Sequence, residues 1–136
     1  MNFDFLEDFH DPYLKTDEGK GVFLSGVLLG YMAYLQGGES DVRSTPLFKQ
    51  IQFGKLTKKS LQKILSRVPQ IVAGYEDIGN RSYRVNSLLA EIGRLLLGSG
   101  NEDLGTSGNF AFTVGFVNSG SYINQIFAGK EKGEDE

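Results

Sequence analysis

Apolar residues recur along this chain at helical spacing, and no run alternates apolar and polar residues between hairpin turns. In residues 3–9, Phe5, Leu6 and Phe9 share one helical face. Asp11-Pro12 ends that segment, because the residue before a proline is driven out of the helical region. Thr16-Asp17-Glu18 reads as a helix start, with a hydroxyl to cap it and carboxylates at the positive end of the macrodipole. This helix runs through GVFLSGVLLGYMAYLQ and stops at Gly37-Gly38. Residues 39–55 read as an irregular connector, with turn chemistry at Ser44-Thr45-Pro46. Thr57 caps an amphipathic helix whose Leu61, Ile64, Leu65 and Val68 fall at i, i+3, i+4 and i+7. Pro69 lacks an amide hydrogen and kinks or restarts that helix near Val68.

A fourth helix covers about residues 83–97, with Val85, Leu88, Leu89, Ile92, Leu95 and Leu96 on its buried face and Gly98-Ser99-Gly100 as its terminator. A last helix covers about residues 106–128. Its expected inward positions are Phe110, Val114, Phe116 and Val117, with Gly115 and Gly120 as marks of close packing. The expected fold is therefore all-α: a compact bundle of about five helices in one domain, residues 1–129. Residues 130–136 form a charged tail expected to be disordered.

Residues 21–38 contain no charge over eighteen positions, close to the length that spans a bilayer. Gly26 and Gly30 even share the small-xxx-small spacing of packed membrane helices. The segment lacks basic flanks, contains Ser25 and Gln36, and has no second comparable span. A helix buried in a helical core, with glycines that let a neighbour approach, is the preferred reading. No membrane contact is expected. The chain has no cysteine and its first twenty residues lack a basic n-region, which fits a cytoplasmic protein without a secretory signal.

Charge changes the picture. The net charge is −3, yet residues 1–41 hold eight acids against two lysines. Residues 42–75 hold no acid and seven cations: Arg43, Lys49, Lys55, Lys58, Lys59, Lys63 and Arg67. It is the field of such a bipolar surface, more than net charge, that steers a polyanion. Lys59, Lys63 and Arg67 fall at i, i+4 and i+8 opposite the leucine stripe, with no acid at i±3 or i±4. Phosphates would supply the missing partners without any reading of sequence. Arg81 and Arg84 form a second basic pair at the next helix, whereas Arg94 has Glu91 at i−3 and pairs locally. Phe48 and Phe53 interleave with the connector cations. They read first as plugs that pin the connector to the core, and otherwise as surfaces on which bases stack.

Catalysis finds little support. His10 is the single histidine, beside Asp8 and Asp11, and reads as a surface residue rather than a metal ligand. No second histidine exists to build a base–nucleophile pair, and no GxxxxGK[ST] loop is present. The acidic pairs Asp17-Glu18, Glu76-Asp77 and Glu102-Asp103 sit at segment starts, where capping explains them. No enzyme activity, metal or cofactor is expected.

Four stretches carry a resemblance: DEGKGVFLSGVLLGYMAYLQ, STPLFKQIQFGKLTKKSLQKILSRV, SLLAEIGRLL and NFAFTVGFVNSGSYINQIF. In this order they resemble the C-terminal helical region of the large subunit of subtype I-B CRISPR Cascade complexes. In that family the same region looks like a stand-alone small subunit made from an internal start, and a chain of this length with its own Met1 is similar to that product. The resemblance implies a non-catalytic role in a ribonucleoprotein complex, with crRNA, target DNA, the large and backbone subunits and further copies of the chain as partners. It carries a backbone-contact role onto Lys55, Lys58, Lys59, Lys63 and Arg67, and less directly onto Arg43, Lys49, Arg81 and Arg84. Protein in such assemblies reads backbone and shape while base pairing reads sequence. The acidic N-terminal segment departs from an ideal polyanion binder, and is expected to face a neighbouring subunit or solvent. A protein-interaction module without nucleic-acid contact is the alternative.

Overall fold

The computed structural model describes residues 1–38, 40–75, 81–97 and 103–135, with residues 129–135 by backbone alone. Among these residues the chain forms seven α-helices and no strand, as the periodicity predicts: α1 Asp17–Gly37, α2 Pro46–Gln50, α3 Lys58–Leu65, α4 Val68–Ala73, α5 Arg81–Leu97, α6 Gly105–Val117 and α7 Ser119–Asp135. Three 3-10 turns, Asp4–Asp8, Pro12–Lys15 and Val42–Ser44, fill the connections.

Helix α1 is the axis. Its start follows from sequence: the Thr16 side chain accepts the Gly19 amide at 2.9 Å, and Gly38, with a positive φ of 57°, closes the other end. Every residue from 21 to 30 is buried, so α1 is covered on all sides. That explains the long charge-free run, and among the described residues no helix is long and apolar enough to cross a membrane.

The most extensive contact in the molecule is between α1 and α6. It is a crossing of small residues. A Cβ on Gly30 would stand 2.6 Å from the Phe116 carbonyl oxygen, and one on Gly115 would stand 2.5 Å from the Phe23 carbonyl oxygen. A Cβ on Gly26 would run into the Phe112 carbonyl. Backbone therefore lies against backbone, and the phenylalanines of α6 fill the space on either side. Helices α5 and α7, with smaller contributions from the Pro12–Lys15 turn and α2, also pack against α1. At one end Phe5, Phe9, Phe23 and Tyr122 form an aromatic cluster, with Phe23 and Tyr122 ring centroids 5.1 Å apart, tying the N-terminal turn to α1 and α7.

Several expectations need correction. The N-terminal segment is a 3-10 turn over Asp4–Asp8, with Leu6 buried. The connector is not irregular: Thr45 caps α2, accepting the Phe48 amide at 3.2 Å, and Pro46 occupies its first turn, where a missing amide hydrogen costs nothing. The expected last helix is two helices, broken at Asn118. The inward face of α6 also differs from the expected one. Phe116 is buried, but Phe110 is 65% exposed and Val117 67% exposed, and Val114 is only half-buried. The true inner face is Gly108, Ala111, Phe112, Gly115 and Phe116, and glycine contributes nothing to an apolar count. A Cβ added at Gly120, unlike one at Gly115, would meet nothing within 4 Å. The break near Pro69 is as expected, with α3 ending at Leu65 and α4 starting at Val68. The pair Glu76-Asp77, the terminator Gly98-Ser99-Gly100 and Glu102 lie outside the described residues. So do the side chains of the expected tail, whose backbone continues α7 to Asp135.

Gly26→Ala or Gly115→Ala should lower unfolding free energy by about 1–3 kcal/mol, the usual cost of overpacking. Gly93 lies exposed within α5, and a Cβ added there would meet nothing within 4 Å, so Gly93→Ala should instead raise it by roughly 0.5–1 kcal/mol. Urea unfolding of the three variants tests both signs.

Candidate nucleic-acid interface

The cationic segment folds into a groove. Its walls are the α2–α3 connector on one side and the polar faces of α3 and α4 on the other. Lys49, Gln50, Gln52 and Lys55 line the first wall, and Thr57, Ser60, Lys63 and Arg67 the second, around about 540 Å³. Leu56 and Ile64 close its floor. Among the described residues that line it none is acidic, while the lining offers four cations, two amides and two hydroxyls. All four cations are exposed.

Local sequence builds each wall. Thr57 and Ser60 form a capping box: the Thr57 hydroxyl accepts the Ser60 amide at 3.1 Å, and the Ser60 hydroxyl accepts the Thr57 amide at 2.9 Å. This fixes where α3 begins and thus where Lys63 points. Gly54, at a φ of 83°, turns the connector so that Phe53 goes to the core side and Lys55 to the groove. Arg67 Nη1 donates to Gln50 Oε1 at 2.8 Å across the mouth, linking the walls.

The connector is held from below by Asn109. Its Oδ1 accepts the Leu56 amide at 2.7 Å, and its Nδ2 donates to the Leu56 carbonyl at 3.3 Å and to the Gly105 carbonyl at 2.9 Å. A buried side-chain amide thus pairs with a backbone amide 53 residues away, as a neighbouring strand would. Nothing in the local sequence announces this role, because one asparagine among glycines has no pattern. Gln36 does a smaller version of the same work, accepting the Leu47 amide at 2.9 Å.

Of the nine basic residues singled out from sequence, Lys49, Lys55, Lys63 and Arg67 meet in the groove. Lys58 and Lys59 begin α3 but do not line it. The periodic stripe therefore splits: Lys59 drops out, and the connector supplies Lys49 and Lys55 in its place. Arg43 stands on the other side of α2, paired with Asp41 at 2.8 Å. The hydrogen bond from Arg43 holds the Asp41 carboxyl below its usual range, and that bond in turn raises the guanidinium. Arg81 opens α5, and the Arg84 guanidinium lies 5.7 Å from the Phe127 ring centroid. Arg94 pairs with Glu91, its Nε donating at 3.0 Å, as the i, i+3 spacing predicts.

Asp103 is bridged through its backbone to Thr57 beside the groove, and its Oδ1 accepts the Gly105 amide at 2.9 Å. Asp4, Glu7 and Asp17 line a separate crevice with Lys20, Glu91 and Arg94. His10 is exposed beside a small apolar hollow, and no group of three or more potential metal ligands converges among the described residues. Tyr13 donates to Glu18 Oε2 at 2.9 Å; burial first, and then that bond, push its phenol well above the usual range.

Fold and surface together define a small helical domain with a cationic groove whose described lining holds no acid. Residues 2–130 match the family described as CRISPR-associated protein TM1802 (cas_TM1802) C-terminal domain, and the chain belongs to that family. It is therefore a CRISPR-associated domain. No curated protein and no solved structure matches it.

Asn109→Ala should cost about 1–3 kcal/mol, because it strands the buried Leu56 amide. Denaturant unfolding measures the loss, and hydrogen exchange should show the Leu56 amide among those that lose protection.

Proposed function

We propose that the chain is a non-catalytic small subunit of a cytoplasmic CRISPR interference complex that holds nucleic-acid backbone in the groove between the connector and α3–α4. The observation that carries this reading is the groove lining: four exposed cations with amides and hydroxyls around them and, among the described residues, no carboxylate. Phosphate oxygens fit that chemistry. Lysine and arginine supply charge, and glutamine, serine and threonine supply neutral donors, the mixture by which proteins fix register on a backbone without reading bases. Like charges at this density repel one another, and a polyanion relieves the repulsion while releasing its counterions.

In this role crRNA and target DNA are the nucleic-acid partners, and Cascade large and backbone subunits and further copies of the chain are the protein partners. Lys49, Lys55, Lys63 and Arg67 make the main contacts, Lys58 and Lys59 at the start of α3 add to them, and Arg43, Arg81 and Arg84 are secondary candidates. Family membership in a CRISPR-associated domain supports the setting. A protein-interaction module is the second reading, favoured by the uncharged, exposed Phe110 and half-buried Val114 on α6, since apolar surface left open on a small domain marks contact sites.

The purified chain should bind short single strands or duplex with an affinity that falls steeply with salt, by roughly 0.7–0.9 logarithmic units per tenfold salt for each phosphate contacted. Lys63→Glu with Arg67→Glu should weaken binding at least about tenfold and flatten the salt slope by about one for each cation removed. Both side chains are exposed, so thermal unfolding should stay near that of the parent chain. Unchanged affinity in the folded double variant would exclude the groove, and indifference to nucleic acid alongside capture of protein subunits would favour the second reading.

A further inference from the structure

We infer that the apolar hollow on the opposite side of α2 from the groove is a stacking site for an unpaired nucleobase, so that the chain prefers single-stranded nucleic acid to duplex. This rests on the proposed backbone groove and specifies its ligand.

The hollow encloses about 340 Å³ and is lined mainly by Tyr34, Phe48, Phe53, Phe116 and Val117, with Arg43 at its rim. The connector is the common wall of the two sites. Phe48 and Phe53 face the hollow, while Lys49, Gln50, Gln52 and Lys55, interleaved with them in sequence, face the groove. A ligand that spans this ridge needs an anion on one side and a flat apolar ring on the other. A nucleotide in an unpaired strand has that form. In a duplex the ring is committed to its partner inside the stack.

The aromatic faces suit such a guest. Phe48 and Phe53 are half-buried, with ring centroids 5.2 Å apart. Each packs against Phe116, at 5.9 and 5.2 Å, which fixes the rings and leaves part of their surface toward the hollow. Anchoring and stacking are thus compatible roles. Tyr34 is 56% exposed and makes no ring contact among the described residues, so its face is open. Arg43, paired with Asp41 at 2.8 Å, puts a planar guanidinium at the rim. Stacking on aromatic faces tolerates any base, which suits a protein that holds a strand without selecting its sequence.

The test uses short oligothymidylate, the matching oligouridylate, a duplex of equal length, and an abasic strand with the same phosphates. The parent chain should bind the two single strands more tightly than the duplex or the abasic strand. Tyr34→Ala and Val117→Asp, both at exposed positions, should each weaken single-strand binding by roughly tenfold and leave duplex and abasic binding within about twofold. Tyr34→Trp should retain the preference. Loss on either the deoxy or the ribo strand upholds the hollow and tells which sugar it accepts. Lys63→Glu with Arg67→Glu should weaken all four ligands alike. If that groove variant weakens binding while Tyr34→Ala and Val117→Asp change nothing, the stacking site is wrong and the groove stands. If the groove variant changes nothing, both fall.

Discussion

Where α1 crosses α6, backbone lies directly against backbone. Gly26 and Gly30 of α1 meet the carbonyls of α6, and Gly115 of α6 meets α1 in return, with no room for a single added carbon. Interiors of proteins are packed like crystals, so a contact this tight fixes the relative position of its two helices and of whatever hangs from them. Three things hang from α6. Its phenylalanines Phe112 and Phe116 carry the connector through Phe48 and Phe53. Its Asn109 holds Leu56 at the foot of α3. Its outer face, with Phe110 and Val117, is left to solvent.

The cationic groove is a consequence of that chain of contacts. A connector of this length with four exposed cations in and around it would avoid its own charges if it were free to do so. It is not free. One side is held by ring packing, its end is paired to Asn109, and its turn at Gly54 is set by a backbone angle. The cost of gathering like charges is carried by apolar burial elsewhere, which is how functional surfaces are commonly sustained. Several described acids are engaged elsewhere: Asp41 serves Arg43, Glu91 serves Arg94, and Asp4, Glu7 and Asp17 line a crevice of their own.

Much of the helical scaffold is legible as periodicity. The Thr16 and Thr57 caps, the stop at Gly38 and the break at Pro69 are local chemistry, determined by neighbours within a turn or two. The α3 leucines and the α5 stripe announce their buried faces because the side chains that pack are also the apolar ones. Helix α6 fails on that point. Its packed face is partly glycine, its open face carries phenylalanine and valine, and an apolar count points the wrong way. The connector fails for another reason. Its helix is one turn long and stabilised by Gln36 and by ring contacts from distant positions, so no local pattern declares it.

The sequence by itself determined that the chain is helical, where α1 starts and stops and α3 begins, and that one acid-free stretch holds seven cations, because each of these depends on residues close together along the chain. Tertiary structure decided which cations share a groove, since Lys49 and Lys55 reach Lys63 and Arg67 only when Asn109 and the α6 phenylalanines bring the connector against α3. It also decided which aromatic rings anchor and which stay open. The physical reason is range: hydrogen bonds to a cap and helical spacing act over a few residues, whereas the meeting of a connector with a helix 53 residues downstream is fixed by how closely two glycine-bearing backbones can pack.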